Sequence, residues 1–258
     1  MRLLALSNLL LISGSVYAAE TPLRFSIADA WSMPLVQIED REATDGILYD
    51  IMQSMAVQAN MRPEYRVIAT KRVQRMLERG AIDVRCYAAQ SWMPSLSGDY
   101  TWSLPLLIQR TLLISTPDNA TPINPEQLSN EAVGTVLGYA YPPLQAAFDS
   151  QQLIRDDARS EVQVLQKLQL HRYRYAISNQ WSLDWFNRNL PEDQQLRGVA
   201  LIEEQPVGCI VRSDAQIPAQ RLMRILLRMR MSGEIDRIMR RYNTVSGLPA
   251  DPSSAALP

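Results

Sequence analysis

Twice along this chain, periodicity spells the same order of elements: a short apolar strand, an amphipathic helix, and another strand. Leu23–Ile27 alternates as an opening strand. Leu48, Ile51, Met52, Met55 and Ala56 then fall at i, i+3, i+4, i+7 and i+8, one apolar stripe on a helix that starts at Gly46. Tyr65–Ile68 and Asp83–Ala89 read as strands on either side of a short helix over 71–79. Val73, Met76 and Leu77 point inward on that helix, and Gly80 stops it. This β-α-β-α-β order predicts parallel strands in one sheet with helices on its faces. The pattern then starts again. Leu106–Ser115 is extended, Asn124–Leu128 has the composition of a helix start, and Val133–Leu137 is a strand closed by Gly138. Ser160 can cap a helix carrying Val164, Leu165 and Leu168, and Tyr175–Ser178 is a further strand. Val207–Arg212 is extended, and 218–241 is helical with a break at Gly233.

Two α/β units joined by extended segments near 111–115 and 203–208 predict two lobes, two hinge strands and a cleft between the lobes. The first lobe is discontinuous, over 19–112 and 206–245. The second covers 113–205, and 246–258 is a tail rich in Pro, Ser and Ala. A chain of 258 residues with 47% apolar and 21% charged residues has the usage of a globular protein with a substantial core. Its net charge of −1 carries no surplus for a polyanion, so no nucleic-acid partner is expected. His171 is the only histidine, and Cys86 and Cys209 are the only cysteines. A histidine-rich metal cluster or a four-cysteine site is therefore out of reach, and neither metal nor cofactor is expected.

The first 18 residues read as an export signal. Arg2 supplies the positive start, Leu3–Ile12 the short apolar run, and Val16-Tyr17-Ala18 the small residues of a cleavage site after Ala18. The run is too short to span a bilayer. A soluble periplasmic address follows, and there a cysteine pair can be oxidised. At this stage a disulfide and two separate buried thiols both remain open.

The order of several short motifs resembles the family 3 extracellular solute-binding proteins, the binding proteins of polar amino-acid transporters. Asp45-Gly46-Ile47-Leu48-Tyr49-Asp50-Ile51 is similar to the family's helix start, and Arg79-Gly80-Ala81-Ile82-Asp83 to its helix-Gly-x-x-Asp passage. Trp102-Ser103-Leu104-Pro105 stands for Phe-Ser-x-Pro, and Val133 to Tyr139 for the glycine turn of the second lobe. Ser232-Gly233-Glu234-Ile235-Asp236-Arg237-Ile238 stands for the closing helix. The resemblance spans roughly 22–243. It implies a periplasmic-binding-protein-like type II fold that closes on a small solute, commonly as a monomer. It also implies that the strands around Cys86 and Cys209 are neighbours, which makes a disulfide between them an expectation.

The resemblance also marks two departures. Family members that bind amino acids carry an Arg after the third strand, and here Gln90 to Ser97 contains none. They carry an Asp after the strand read as Tyr175–Ser178, and here Asn179 stands there. An ordinary α-amino acid is therefore not the expected ligand. The residues placed at the cleft are aromatic and neutral-polar: Trp31, Tyr87, Gln90, Trp92, Tyr139, Tyr141, Asn179 and Trp181, with Arg72 as the candidate cation. Trp31 and Trp181 are expected to be replaceable by Ala without unfolding.

The function expected is capture of a small molecule for delivery to an ABC permease, with no catalytic residues. Two alternatives stay open: a sensory or adaptor role at a membrane partner, and a cyclohexadienyl-type dehydratase on the same fold.

Overall fold

The computed structural model describes residues 22–242. The export signal with its cleavage site after Ala18 and the tail 246–258 lie outside the described residues. The elements, in order, are β1 (Pro22–Ala28), a hairpin of β2 (Gln37–Glu39) and β3 (Glu42–Asp45), α1 (Ile47–Gln58), β4 (Arg62–Ile68), α2 (Val73–Glu78), β5 (Val84–Ala88), β6 (Tyr100–Trp102) and β7 (Leu107–Ser115). After these come β8 (Glu131–Val136), α3 (Gln145–Asp149), β9 (Leu153–Ala158), α4 (Glu161–Gln169), β10 (Tyr175–Asn179), α5 (Gln180–Asn187), β11 (Arg197–Arg212), α6 (Ala219–Met231) and α7 (Glu234–Arg241).

Both lobes are built on one continuous sheet of order β4-β1-β5-β11-β7-β10-β8-β9, with β6 on β11. β1 pairs parallel with β4 and β5 in the first lobe, and β8 pairs parallel with β9 and β10 in the second. The long antiparallel pair β7–β11 belongs to both lobes. Its register runs from Arg197↔Ser115 in the second lobe to Val207↔Leu107 in the first. The two connections thus lie side by side as one antiparallel pair, with shifts of register between Gly198 and Ala200 and between Leu201 and Glu203.

Each lobe has its own buried core. Leu23, Phe25 and Ile27 on β1 pack against Ile51, Met52 and Met55 of α1, all fully buried. Leu112 and Ile114 on β7, with Val164 and Leu168 of α4, form a second cluster. Arg241 and Tyr242 return to the first lobe: the Tyr242 hydroxyl lies 2.6 Å from Asp45 Oδ1 and 2.7 Å from Asp50 Oδ2, and Arg241 pairs with Asp50 at 2.5 Å. Gly46, which starts α1, accepts no substitute. Its φ is +122°, and an added Cβ would stand 2.5 Å from the Leu35 carbonyl oxygen.

Several elements differ from the expectation. Asn124–Leu128 forms a single 3-10 turn over Pro125–Gln127, because Leu128 leaves it in extended backbone. The segment 71–79 divides into a 3-10 turn at Thr70–Arg72 and the short helix α2. Trp181 sits in the first turn of α5 rather than at the end of a strand. The sequence reading did not anticipate the β2–β3 hairpin, β6, β9, α3 or α5. Among the described residues no helix is long and apolar enough to cross a membrane.

Candidate functional site

Between the lobes lies a cavity of about 250 Å³. That is near the small end for ligand sites and corresponds to about eight water-sized groups. Its wall takes Trp31, Tyr87 and Trp92 from the first lobe, Tyr139, Tyr141 and Asn179 from the second, and Gln109, Thr111 and Glu203 from the paired hinge strands. The lobes touch around it. The Glu161 backbone N–H donates to the Ala30 carbonyl at 3.2 Å, and the Trp181 and Tyr87 rings stand 6.1 Å apart.

Tyr87 has the most constrained backbone in this wall. Ala88 pairs with Gly208 and Cys86 with Cys209, so Tyr87 is the extra residue of a β-bulge. Its φ is +59°, rare for a bulky side chain. The bulge aims the ring at Trp31, Trp92 and Trp181, with centroids at 5.9, 5.6 and 6.1 Å. Beside it the disulfide Cys86–Cys209 joins β5 to β11 across 123 residues of chain.

The second-lobe side of the cavity centres on Glu161, at the start of α4. Ser160 caps that helix by accepting from the Gln163 N–H at 3.4 Å. The buried Glu161 carboxylate accepts from Tyr139 Oη at 3.1 Å, from Asn179 Nδ2 at 2.5 Å and from Ser182 Oγ. Burial raises its pKa, and these three donors oppose the rise. Burial, and then the nearby Glu161 charge, push the Tyr87 and Tyr139 hydroxyls up as well. Asn179 has two tasks: its side-chain oxygen accepts from the Ser182 N–H at 2.9 Å, capping α5, while its amide nitrogen serves Glu161. The neutral residue at 179 therefore has a local reason, since an Asp there would set two buried carboxylates against each other. Asn179→Asp should destabilise the protein by about 2 kcal/mol at pH 7.5. The loss should shrink as pH falls and one carboxyl of the pair takes a proton; urea midpoints at pH 7.5 and pH 5 check both.

The expected site residues divide. Trp31, Tyr87, Trp92, Tyr139, Tyr141 and Asn179 line the cavity. Arg72 and Gln90 are exposed and stand outside its wall, each in a 3-10 turn that sends a neighbour to the cleft: Thr70 and Lys71 in one, Trp92 in the other. Trp181 lies behind the wall in the first-lobe core, 4% exposed. Trp31 is equally buried, so Ala at either position opens a core cavity, and a large-to-small change of that kind costs about 3–5 kcal/mol. Neither Trp is the stability-neutral probe the sequence suggested.

Four charged residues of the wall escaped the sequence reading: Lys71, Arg85, Glu161 and Glu203. Arg85 sits mid-strand and Glu161 in a helix, where charges are usually solvated. Packing between segments distant in sequence turns them inward: Tyr139, Asn179 and Ser182 close around Glu161, and Trp31 lies beside Arg85. Among the described residues no group of three or more His, Cys, Asp or Glu is arranged to hold a metal ion.

Two α/β lobes joined by an antiparallel hinge pair, with a small cavity between them, define the periplasmic-binding-protein-like fold. Solved structures of that class align along most of the chain. An ancestral arginine-binding protein bound to arginine matches with a TM-score of 0.70 at 16% identity, covering 87% of this chain and 99% of that one. A histidine kinase sensor domain with similarity to periplasmic binding proteins gives 0.71 at 17%, covering 88% and 98%. The substrate-binding protein of an amino acid ABC transporter gives 0.67 at 14%, covering 86% and 98%. At such identities the likeness is one of fold. No family model matches the sequence, and no curated protein does.

Proposed function

We propose that this protein is an exported solute-binding protein that closes its two lobes on one small molecule and presents the closed form to a membrane permease. The observation that carries this reading is the cavity itself, whose wall is shared by both lobes and by both hinge strands. A ligand held there touches every part that moves, so it favours the closed form by its contacts to the second lobe. The similarity to an ABC-transporter binding protein supports delivery to a permease. The similarity to a kinase sensor domain supports a second reading, in which the closed form signals to a membrane partner instead.

The test is a thermal-shift screen of the mature chain, followed by small-angle scattering with and without each hit. A ligand at 100 times its dissociation constant should add about 2.7 kcal/mol of stability. The radius of gyration should fall on binding. Trp92→Ala, half-buried at the cavity wall, should weaken binding about tenfold with little loss of stability. A rigid shape and no hit would sink the binding reading. Mass spectrometry of each hit after incubation adds a further outcome: turnover would move the assignment to an enzyme, with Glu161 as the proton donor to test.

A further inference from the structure

Among the partly buried arginines of the described residues, Arg85 is the one whose surroundings do not account for its charge. Among the described residues, six arginines are partly buried: Arg24, Arg66, Arg85, Arg155, Arg212 and Arg230. Five of them pair with a carboxylate. Arg24 and Arg212 meet Asp83 at 2.5 and 3.1 Å, Arg66 meets Glu64 at 2.7 Å, and Arg155 and Arg230 meet Asp157 and Asp236, each at 2.8 Å. Arg85 has no ion pair and no hydrogen bond within the described protein, and its Nη1 is buried without a partner. Its one close companion is the Trp31 ring, whose centroid lies 5.9 Å from Cζ. Burial pulls its pKa down to about 10, so it remains a cation at neutral pH. Glu161 does not relieve it, because that carboxylate is held by Tyr139, Asn179 and Ser182.

The same wall holds three more buried polar atoms without a protein partner: Thr70 Oγ1, Gln109 Oε1 and Ser178 Oγ. Buried polar groups are ordinarily satisfied, so four orphans around one cavity describe a complementary molecule. Gln109 Oε1 calls for a donor, and the two hydroxyls suit either role. The surfaces between them are the faces and edges of Trp31, Tyr87, Trp92 and Tyr139, which suit a flat apolar body.

We propose that the cavity takes a small carboxylate with a flat apolar body, its anionic group held by the Arg85 guanidinium and a donor group held by Gln109. This rests on the cavity being the solute site, and it adds the chemistry of the solute. A guanidinium binds a carboxylate in bidentate fashion, and a partly desolvated pair of this kind is stronger than one in water. Two sources share this chemistry, an amine-free organic acid and an aromatic amino acid, and the probes below separate them by the ammonium.

Calorimetric titration of matched probes tests this. The set pairs benzoate with benzamide, 4-hydroxyphenylacetate with its amide, and indole-3-acetate with indole-3-acetamide; phenylalanine and tryptophan form the amine-bearing arm. Each probe is titrated into wild type, Arg85→Met, Arg85→Lys and Arg72→Ala. The expected result is binding of one or more carboxylates at least a hundredfold tighter than their amides. Arg85→Met should erase that preference while holding or raising the melting temperature of the unliganded protein, since it removes an unpaired cation. Arg85→Lys should restore part of the preference, and Arg72→Ala should leave it intact. If the phenylalanine or tryptophan arm alone binds, and binds through Arg85, the carboxylate anchor holds and the source is an amino acid. Amides binding as well as acids, or acids binding Arg85→Met as tightly as wild type, would overturn the anion assignment and leave the solute site standing. No binding by any probe, neutral or charged, would overturn both.

Discussion

Removing the disulfide by the double substitution Cys86→Ala, Cys209→Ala should cost about 4–5 kcal/mol of stability. The bond closes a loop of 123 residues, and in the chain-entropy account a loop of this size restricts the unfolded chain by about that amount. For a protein of this length, each kcal/mol lowers the melting temperature by about 2–4 °C, so the midpoint should fall by roughly 8–20 °C. A thiol reductant should bring wild type down towards the double variant. The loss should reach the site as well. Cys86 and Cys209 face each other directly beside the bulge that throws Tyr87 into the cavity. Without the bond, β5 can slip to regular pairing, which would take Tyr87 out of its left-handed conformation and away from Trp31 and Trp92. Weaker ligand binding at a temperature where the variant is still folded would show this second effect. Unchanged affinity would show that strand pairing alone holds the bulge.

Asp83→Asn should cost about 3 kcal/mol. The Asp83 carboxylate is fully buried between two lobe-building segments. It accepts from the Arg24 backbone N–H at 3.0 Å, from Arg24 Nε and Nη2 at 2.8 and 2.5 Å, and from Arg212 Nη2 at 3.1 Å. Breaking a buried pair by removing one partner costs about 3–5 kcal/mol. The lower end applies because both arginines keep some contact with water and Arg212 retains Asp214. Burial alone would raise the Asp83 pKa, but the hydrogen bonds from Arg24 and Arg212 outweigh it and the pKa lies below its ordinary value. A lowered carboxylate stabilises the fold fully above the unfolded value near pH 4, and the contribution is lost as pH falls through the folded value. Urea midpoints of wild type and Asp83→Asn should therefore differ most at pH 6–8 and converge below pH 4. A constant difference across that range would contradict the assignment.

Much of the architecture was legible because it rests on local rules. The stripe of Ile51, Met52 and Met55 needs only the helical repeat. The break at Gly233 needs only a left-handed φ, here +68°. The order of the motifs pointed to two α/β units, and the neighbouring of Cys86 and Cys209 was implied by the family resemblance those motifs carry. Among the missed elements, β6 with three residues and α3 with five leave too few repeats for periodicity to register, while β9 carries Arg155, Asp156 and Asp157 in place of an apolar run.

The site divided along the same line. Aromatic residues at strand ends, such as Tyr87 and Trp92, could be assigned to the cleft because strand ends face it. Arg72 could not be separated from Lys71 by sequence, since a 3-10 turn and an α-helix send successive side chains in different directions. Arg85 and Glu161 were invisible for a stronger reason. A charge inside a strand or at the start of a helix reads as solvated until segments distant in sequence cover it. The sequence alone determined the two α/β units, the hinge segments and the aromatic character of the cleft, because these depend on residue spacing within one segment. Tertiary structure decided which charges face the cavity and which of them lack a partner, because burial and pairing arise only when segments distant in sequence are packed together.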